Sequence, residues 1–216
     1  TIPMINDLKD ENFCIVEASK AILALQLNGG GPAHINLFTA YNPDFSVKEL
    51  PPVRVIRRFT RNDILPKFPQ VRRVAITVGA HHNFTEAEVV AIERFCATHD
   101  AVVFTDHTSG YRGKYEVNYS LVCGQKNFKS SLIEVDLLIH IGEVSGDCYK
   151  IHPKGVVWRV SEDGALRDTF RKLTNVFMMP EEIFFNYYSN DGENKISYLE
   201  ACQAEYQNIL NQMPEI

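Results

Sequence analysis

Three short stretches hold the residue types that could do chemistry. The first is Gly79, Ala80, His81, His82, Asn83 and the second is Thr105, Asp106, His107, Thr108, Ser109, Gly110, Tyr111, Arg112, Gly113. The third is Gly142, Glu143, Val144, Ser145, Gly146, Asp147. Adjacent histidines can ligate a metal, but successive side chains diverge, and neither an HxH nor an HxxxH pair supplies a second ligand. A polar loop before a helix N-terminus, whose free N–H groups favour an anion, explains His81 and His82 better. Thr105, His107, Ser109 and Arg112 together suit a phosphate or carboxylate, because a guanidinium and hydroxyls all donate to oxyanions. A turn built on Ser109, Gly110 and Gly113 accounts for that stretch without any ligand. Glu143 and Asp147, with Gly142 and Ser145 beside them, are too weakly constrained by spacing to be an acid and base pair. The candidate ligand-binding residues are therefore Gly79, His81, His82, Thr105, His107, Ser109, Arg112, Gly142, Glu143 and Ser145, with no catalytic residue and no metal site singled out.

Several motifs are missing. No GxGxxG follows the first strand, and GxxxxGK[ST], GxSxG and HExxH do not occur. A self-sufficient dehydrogenase, P-loop enzyme, serine hydrolase or zinc protease is disfavoured on that ground.

Each of the three stretches comes after an apolar run: VRRVAITV over 71–78, AVVF over 101–104 and VDLLIHI over 135–141. Near-continuous runs are expected of parallel strands covered by helices on both faces. VVWRV over 156–160 and a short segment over 175–178 continue the series. Thr85 with Glu88 three residues later is a capping box, opening a helix with Val89, Val90, Ile92, Phe95 and Cys96 on one face. Pro180 starts another helix with Ile183, Phe184 and Tyr187 inward, and a last helix covers 196–213. This alternation predicts a doubly wound α/β fold with a mostly parallel, six-stranded Rossmann-like sheet. Ligands of such sheets bind beyond the C-terminal strand ends, where the three stretches fall.

Ahead of this unit, residues 13–27 carry Ile15, Val16, Ala18, Ile22, Leu23 and Leu25 at helical spacing, and Gly29, Gly30 and Gly31 supply a stop. Residues 33–37 read as a strand. From 41 to 70, Pro43, Pro51, Pro52 and Pro66 with Arg54, Arg57, Arg58 and Arg61 have the composition of an extended linker lying over a surface. The arginines fit a solvated or interdomain face better than an anion site.

The totals agree with a soluble globular chain: 216 residues, 45% hydrophobic and 23% charged, so a sizeable core is affordable. A net charge of -5 argues against nucleic acid and against an anionic membrane surface. Cys14, Cys96, Cys123, Cys148 and Cys202 are odd in number and lack a CxxC pair, which points to reduced thiols and a cytoplasmic location. No stretch approaches the ~20 apolar residues of a membrane span. The chain opens on Thr1 rather than on methionine, which raises the expectation of a processed or internal end.

Two sets of motifs together resemble thiamine-diphosphate-dependent enzymes. Gly31, Pro32, Ala33, His34, Ile35 and Asn36, after a helix carrying Glu17 and Ala18, resemble the GPVHI[ND] strand that closes the pyrimidine-binding domain of that family. In the family a proline-rich linker and then a six-stranded central domain come next, the order found here. VAITVGAHHN looks like the first strand and glycine turn of the central domain, and AVVFTDHTSGYRG like its next strand and loop. EVDLLIHIGEV resembles a further strand, with Asp136 and Gly142 at the matching positions, and VVWRVSEDG resembles the strand that usually ends in DxD. Acetolactate synthase-like and MenD-like members are both plausible parents. The resemblance implies residues 1–40 as the end of a pyrimidine-binding domain, 41–70 as linker, 71–190 as central domain and 191–216 as a helix or linker toward a diphosphate-binding domain.

Other implications concern regions beyond these motifs. In the family the activating glutamate belongs to the earlier part of the pyrimidine domain. The GDG motif for diphosphate and magnesium belongs to a third domain, and here Asp191-Gly192 is only a lone turn. Thiamine diphosphate and magnesium are thus expected of a complete parent, not of this segment, and the partners implied are those other domains and a second subunit. Ser161 replaces the acidic residue of relatives that bind FAD or ADP, which disfavours such a nucleotide. Leu37-Phe38 departs from the usual proline-containing strand end. The expectation is a mainly structural domain of a carboligase or decarboxylase acting on 2-oxo acids, incomplete as a catalyst by itself. The rival is a free-standing module binding a nucleotide or an acidic metabolite.

Overall fold

The computed structural model describes residues 1–27, 29–118, 129–144, 151–190 and 194–212. Its strands are β1 (Arg57–Thr60), β2 (Val74–Val78), β3 (Val102–Thr105), β4 (Glu116–Val117), β5 (Glu134–Ile141), β6 (His152–Val160) and β7 (Leu173–Met178). They form one sheet in the order β4-β3-β2-β5-β6-β7-β1, with every pairing parallel. The chain winds outward from β2 through β3 to β4, returns to β5 on the other side of β2, and winds out again through β6 and β7. This is the Rossmann-like order, with its reversal between β2 and β5. Every residue of β2, Val-Ala-Ile-Thr-Val, is buried, as a strand covered on both faces requires.

The helices among the described residues are α1 (Leu8–Ala24), α2 (Glu86–His99), α3 (Glu181–Tyr188) and α4 (Ser197–Leu210). Thr85 and Glu88 close the expected capping box on α2. Phe184, Phe185 and Tyr188 of α3 face inward, while Ile183 and Tyr187 are exposed, which corrects the stripe read from spacing alone. That rotation places Phe185 5.1 Å from Phe95 and Phe184 4.7 Å from Phe177, centroid to centroid, within an aromatic cluster that includes Trp158. Such clusters add to plain area burial through their edge-to-face contacts.

Among the described residues the sheet has seven strands rather than six. Strand β1 comes from the extended stretch over 41–70 and pairs with β7 from Arg57↔Asn175 to Thr60↔Met178, and the two-residue β4 also lies outside the apolar runs of the sequence. Residues 33–37 do not form a full strand: Leu37 makes one parallel bridge to Ile2, because no longer neighbour runs beside it. Arg54 fastens this N-terminal arm to the sheet. It ion-pairs with Asp168 at 2.7 Å and donates to the Leu173 carbonyl and to Asn12 of α1. Asp136 accepts the backbone N–H groups of Arg72 and Arg73 at 3.2 and 3.0 Å, holding the entry to β2 beside β5. No helix among the described residues is long and apolar enough to cross a membrane.

Candidate functional site

The three loops seen in the sequence meet at the C-terminal edge of the sheet. At the reversal, Ala80 donates to the Glu143 carbonyl at 2.6 Å and Glu143 donates back to Ala80 at 3.0 Å, while Gly79 donates to Ile141 at 3.0 Å. The loops after β2 and β5 are therefore zipped by their backbones. Glycine is required on both sides: a Cβ on Gly79 would stand 2.0 Å from the Glu143 carbonyl oxygen, and Gly142 has φ +73° with Ala80 O 2.6 Å from its would-be Cβ.

The loop after β3 is stitched to the same edge. Ser109, buried, donates its hydroxyl to the Val78 carbonyl, and Phe84 donates to Gly110 O at 3.3 Å. Asp106 anchors the turn by accepting from Thr108 N at 2.7 Å and from the Thr108 hydroxyl at 2.6 Å. Thr105 and Arg112 both give hydrogen bonds to Glu116 Oε1, at 3.0 and 3.2 Å, so the exposed Arg112 already has a carboxylate partner. His107 is exposed at the outer edge. Ser145 lies outside the described residues, as does Asp147.

His81 and His82 face each other with ring centroids 4.0 Å apart, and His81 stacks on Phe84 at 4.4 Å. His81 Nε2 sits 3.4 Å from buried Glu181 at the start of α3, and Nδ1 lies 3.0 Å from the His82 carbonyl. Burial pulls the His81 pKa down, but two acceptors, one on each ring nitrogen, outweigh it and raise the pKa above its ordinary value. Among the described residues no group of three or more His, Cys, Asp and Glu side chains could hold a metal ion.

A polar cluster beside the reversal comes from inside the strands. His140 of β5 and Arg159 of β6 are register partners, and both are buried. Arg159 donates to Gly142 O at 2.8 Å and to Glu143 Oε1 at 2.9 Å, and Arg167 reaches Glu143 Oε2 at 3.0 Å and Asp163 at 2.8 Å. Burial, with the charges of Arg159 and Arg167, drives the His140 pKa down to about 3 and keeps the ring neutral. Burial alone would raise the Asp163 pKa, but Ser161, the Ala165 N–H and Arg167 hold it well below the carboxylate range. The sequence signal for this cluster is a polar residue inside each of two apolar runs, VDLLIHI and VVWRV.

Away from this edge, an apolar groove of about 590 Å³ lies between α1 and residues 51–56, lined by Ile5, Ile15, Ile22, Pro51, Val53 and Val55 among others.

No family model matches the chain. It is 27% identical over 202 residues to 2-succinyl-5-enolpyruvyl-6-hydroxy-3-cyclohexene-1-carboxylate synthase of Bacteroides thetaiotaomicron, a match covering 82% of this chain and 35% of that protein. The chain spans about a third of the length of the curated relative it matches.

Proposed function

We propose that this chain is the end of a pyrimidine-binding domain and the central domain of a thiamine-diphosphate-dependent carboligase or decarboxylase acting on 2-oxo acids. The observation that carries this reading is the similarity to the synthase across 82% of the chain. The Rossmann-like strand order supports it, as do the structural roles of two motif residues. Asp136 holds the start of β2 and Gly142 permits the turn after β5. Both would be needed by any chain that folds this unit, whatever its substrate.

In this reading residues 1–40 belong to the pyrimidine-binding domain, 41–70 link, 71–190 form the central domain and 191–216 lead onward. The partners are the remaining domains of a longer cytoplasmic polypeptide and a second subunit. The segment's work is structural: it sets the spacing of the cofactor-binding domains.

Calorimetry of this chain with thiamine diphosphate and magnesium tests the assignment. Heat of binding at micromolar affinity would contradict it. The coding sequence on either side supplies an independent check, with a glutamate-bearing domain expected upstream and a GDG motif downstream. Stop codons at both ends would leave the rival, a free-standing binding module, as the better reading.

A further inference from the structure

His140 and Arg159 face each other across neighbouring parallel strands, each 1% exposed. Arg159 Nη1 lies 3.4 Å from His140 Nδ1. A guanidinium only donates, so Nδ1 must accept and the imidazole proton must sit on Nε2. That Nε2–H has no partner among the described residues, and neither does the Nε–H of Arg159. Among the described residues these two buried donors thus lack an acceptor, and in a folded protein such groups are nearly always satisfied by protein, water or ligand. The surroundings select the sign of what is missing. Arg159 and Arg167 converge on the Glu143 carboxylate, one on each oxygen at 2.9 and 3.0 Å, and the Glu143 side chain is 52% exposed at the mouth of the site. A carboxylate held between two guanidiniums at a solvent edge occupies the place where an external oxyanion would bind.

We propose that His140, Arg159 and Arg167 form an oxyanion site beside the sheet reversal, with Glu143 as a resident carboxylate that swings out when a small carboxylate- or phosphate-bearing molecule enters. The backbone of Glu143 stays zipped to Ala80, so only its side chain moves. The incoming oxyanion takes over the two N–H groups that Glu143 releases, and charge-assisted bonds to two arginines account for its retention. Neutral His140 adds a donor without adding charge, leaving the site suited to one or two negative charges. Asp163 engages Arg167 at 2.8 Å and so holds that guanidinium in place. The inference stands independently of the thiamine-diphosphate reading.

Titration calorimetry of the whole chain with inorganic phosphate, and separately with succinate, tests it. Glu143→Gln removes the competing charge and is expected to tighten binding about tenfold, whereas Arg167→Gln weakens it about tenfold. Binding of phosphate alone assigns the site to phosphoryl groups, and binding of succinate alone assigns it to carboxylates. Arg159 is too buried for a clean variant, so nitrogen NMR of the His140 ring serves instead. The Nε2–H tautomer should be seen at neutral pH, and its resonance should move when the ligand is added. The proposal is overturned if neither ion binds to Glu143→Gln, or if wild-type binding is indifferent to both variants and leaves the His140 resonance in place.

Discussion

His81 and His140 lie at the same sheet edge and respond to pH in opposite senses. His81 is flanked by two acceptors and its pKa is raised, so its stabilising contribution is complete below the ordinary value of 6.5 and is lost as pH rises through the raised value. His140, buried beside Arg159, is depressed to about 3 and must be neutral in the folded state, so stability falls as pH drops below 6.5 toward 3. His99 is also lowered by burial and acts in the same direction as His140. The chain should therefore lose stability between pH 7 and pH 5, partly offset by His81. Urea unfolding at the two pH values checks this, and His81→Asn is expected to steepen the acid-side loss. An unchanged slope would mean that the contact with Glu181 carries no charge-dependent energy.

At the scale of elements, Arg54 is a polar tie between the N-terminal arm and the sheet, beside the packing of Val16, Leu23 and Ile56 into the core. Arg54 joins α1, through Asn12, to Asp168 and the start of β7, and the Asp168 side chain is only 2% exposed. Arg54→Ala would leave that carboxylate buried without its cation, a change expected to cost about 3 kcal/mol. The loss should be local as well as global. Limited proteolysis is expected to cut within residues 1–56 well before the sheet unfolds, and equal cleavage of wild type and variant would rule out the clamp. The strands need no comparable device, since each interior one is hydrogen-bonded to a neighbour on both sides.

Across the molecule, apolar side chains are distributed unevenly. Most of the exposed large ones lie in residues 1–64, including Leu8, Tyr41, Leu50 and Ile64, the last two at 90% and 96% exposure. Exposed apolar side chains gathered in one part of a chain suit a surface that another domain covers. On the proposed reading it meets the other domains of the enzyme. Leu50→Ser combined with Ile64→Ser should change folding stability by less than ~0.5 kcal/mol, because both side chains stand almost wholly in solvent. The same pair should reduce self-association of the isolated chain in sedimentation experiments. Undiminished association would place the sticky surface elsewhere.

By itself the sequence determined the features that depend on periodicity and local chemistry. Near-continuous apolar runs identified the central strands, Thr85 with Glu88 marked the start of α2, and glycines at strand ends marked the loops. Those signals are local, so they survive in a linear reading. Tertiary structure decided which distant groups meet. β1 became a strand because β7 offered an open edge, whereas residues 33–37 found only Ile2 and made a single bridge. Glu181 reached His81 because α3 packs on α2, though 100 positions separate the two residues. His140 and Arg159 became a buried pair through the register of β5 and β6, which no spacing in the chain reveals. Side chains within a strand are oriented by local geometry, but their neighbours are set by the strand beside them.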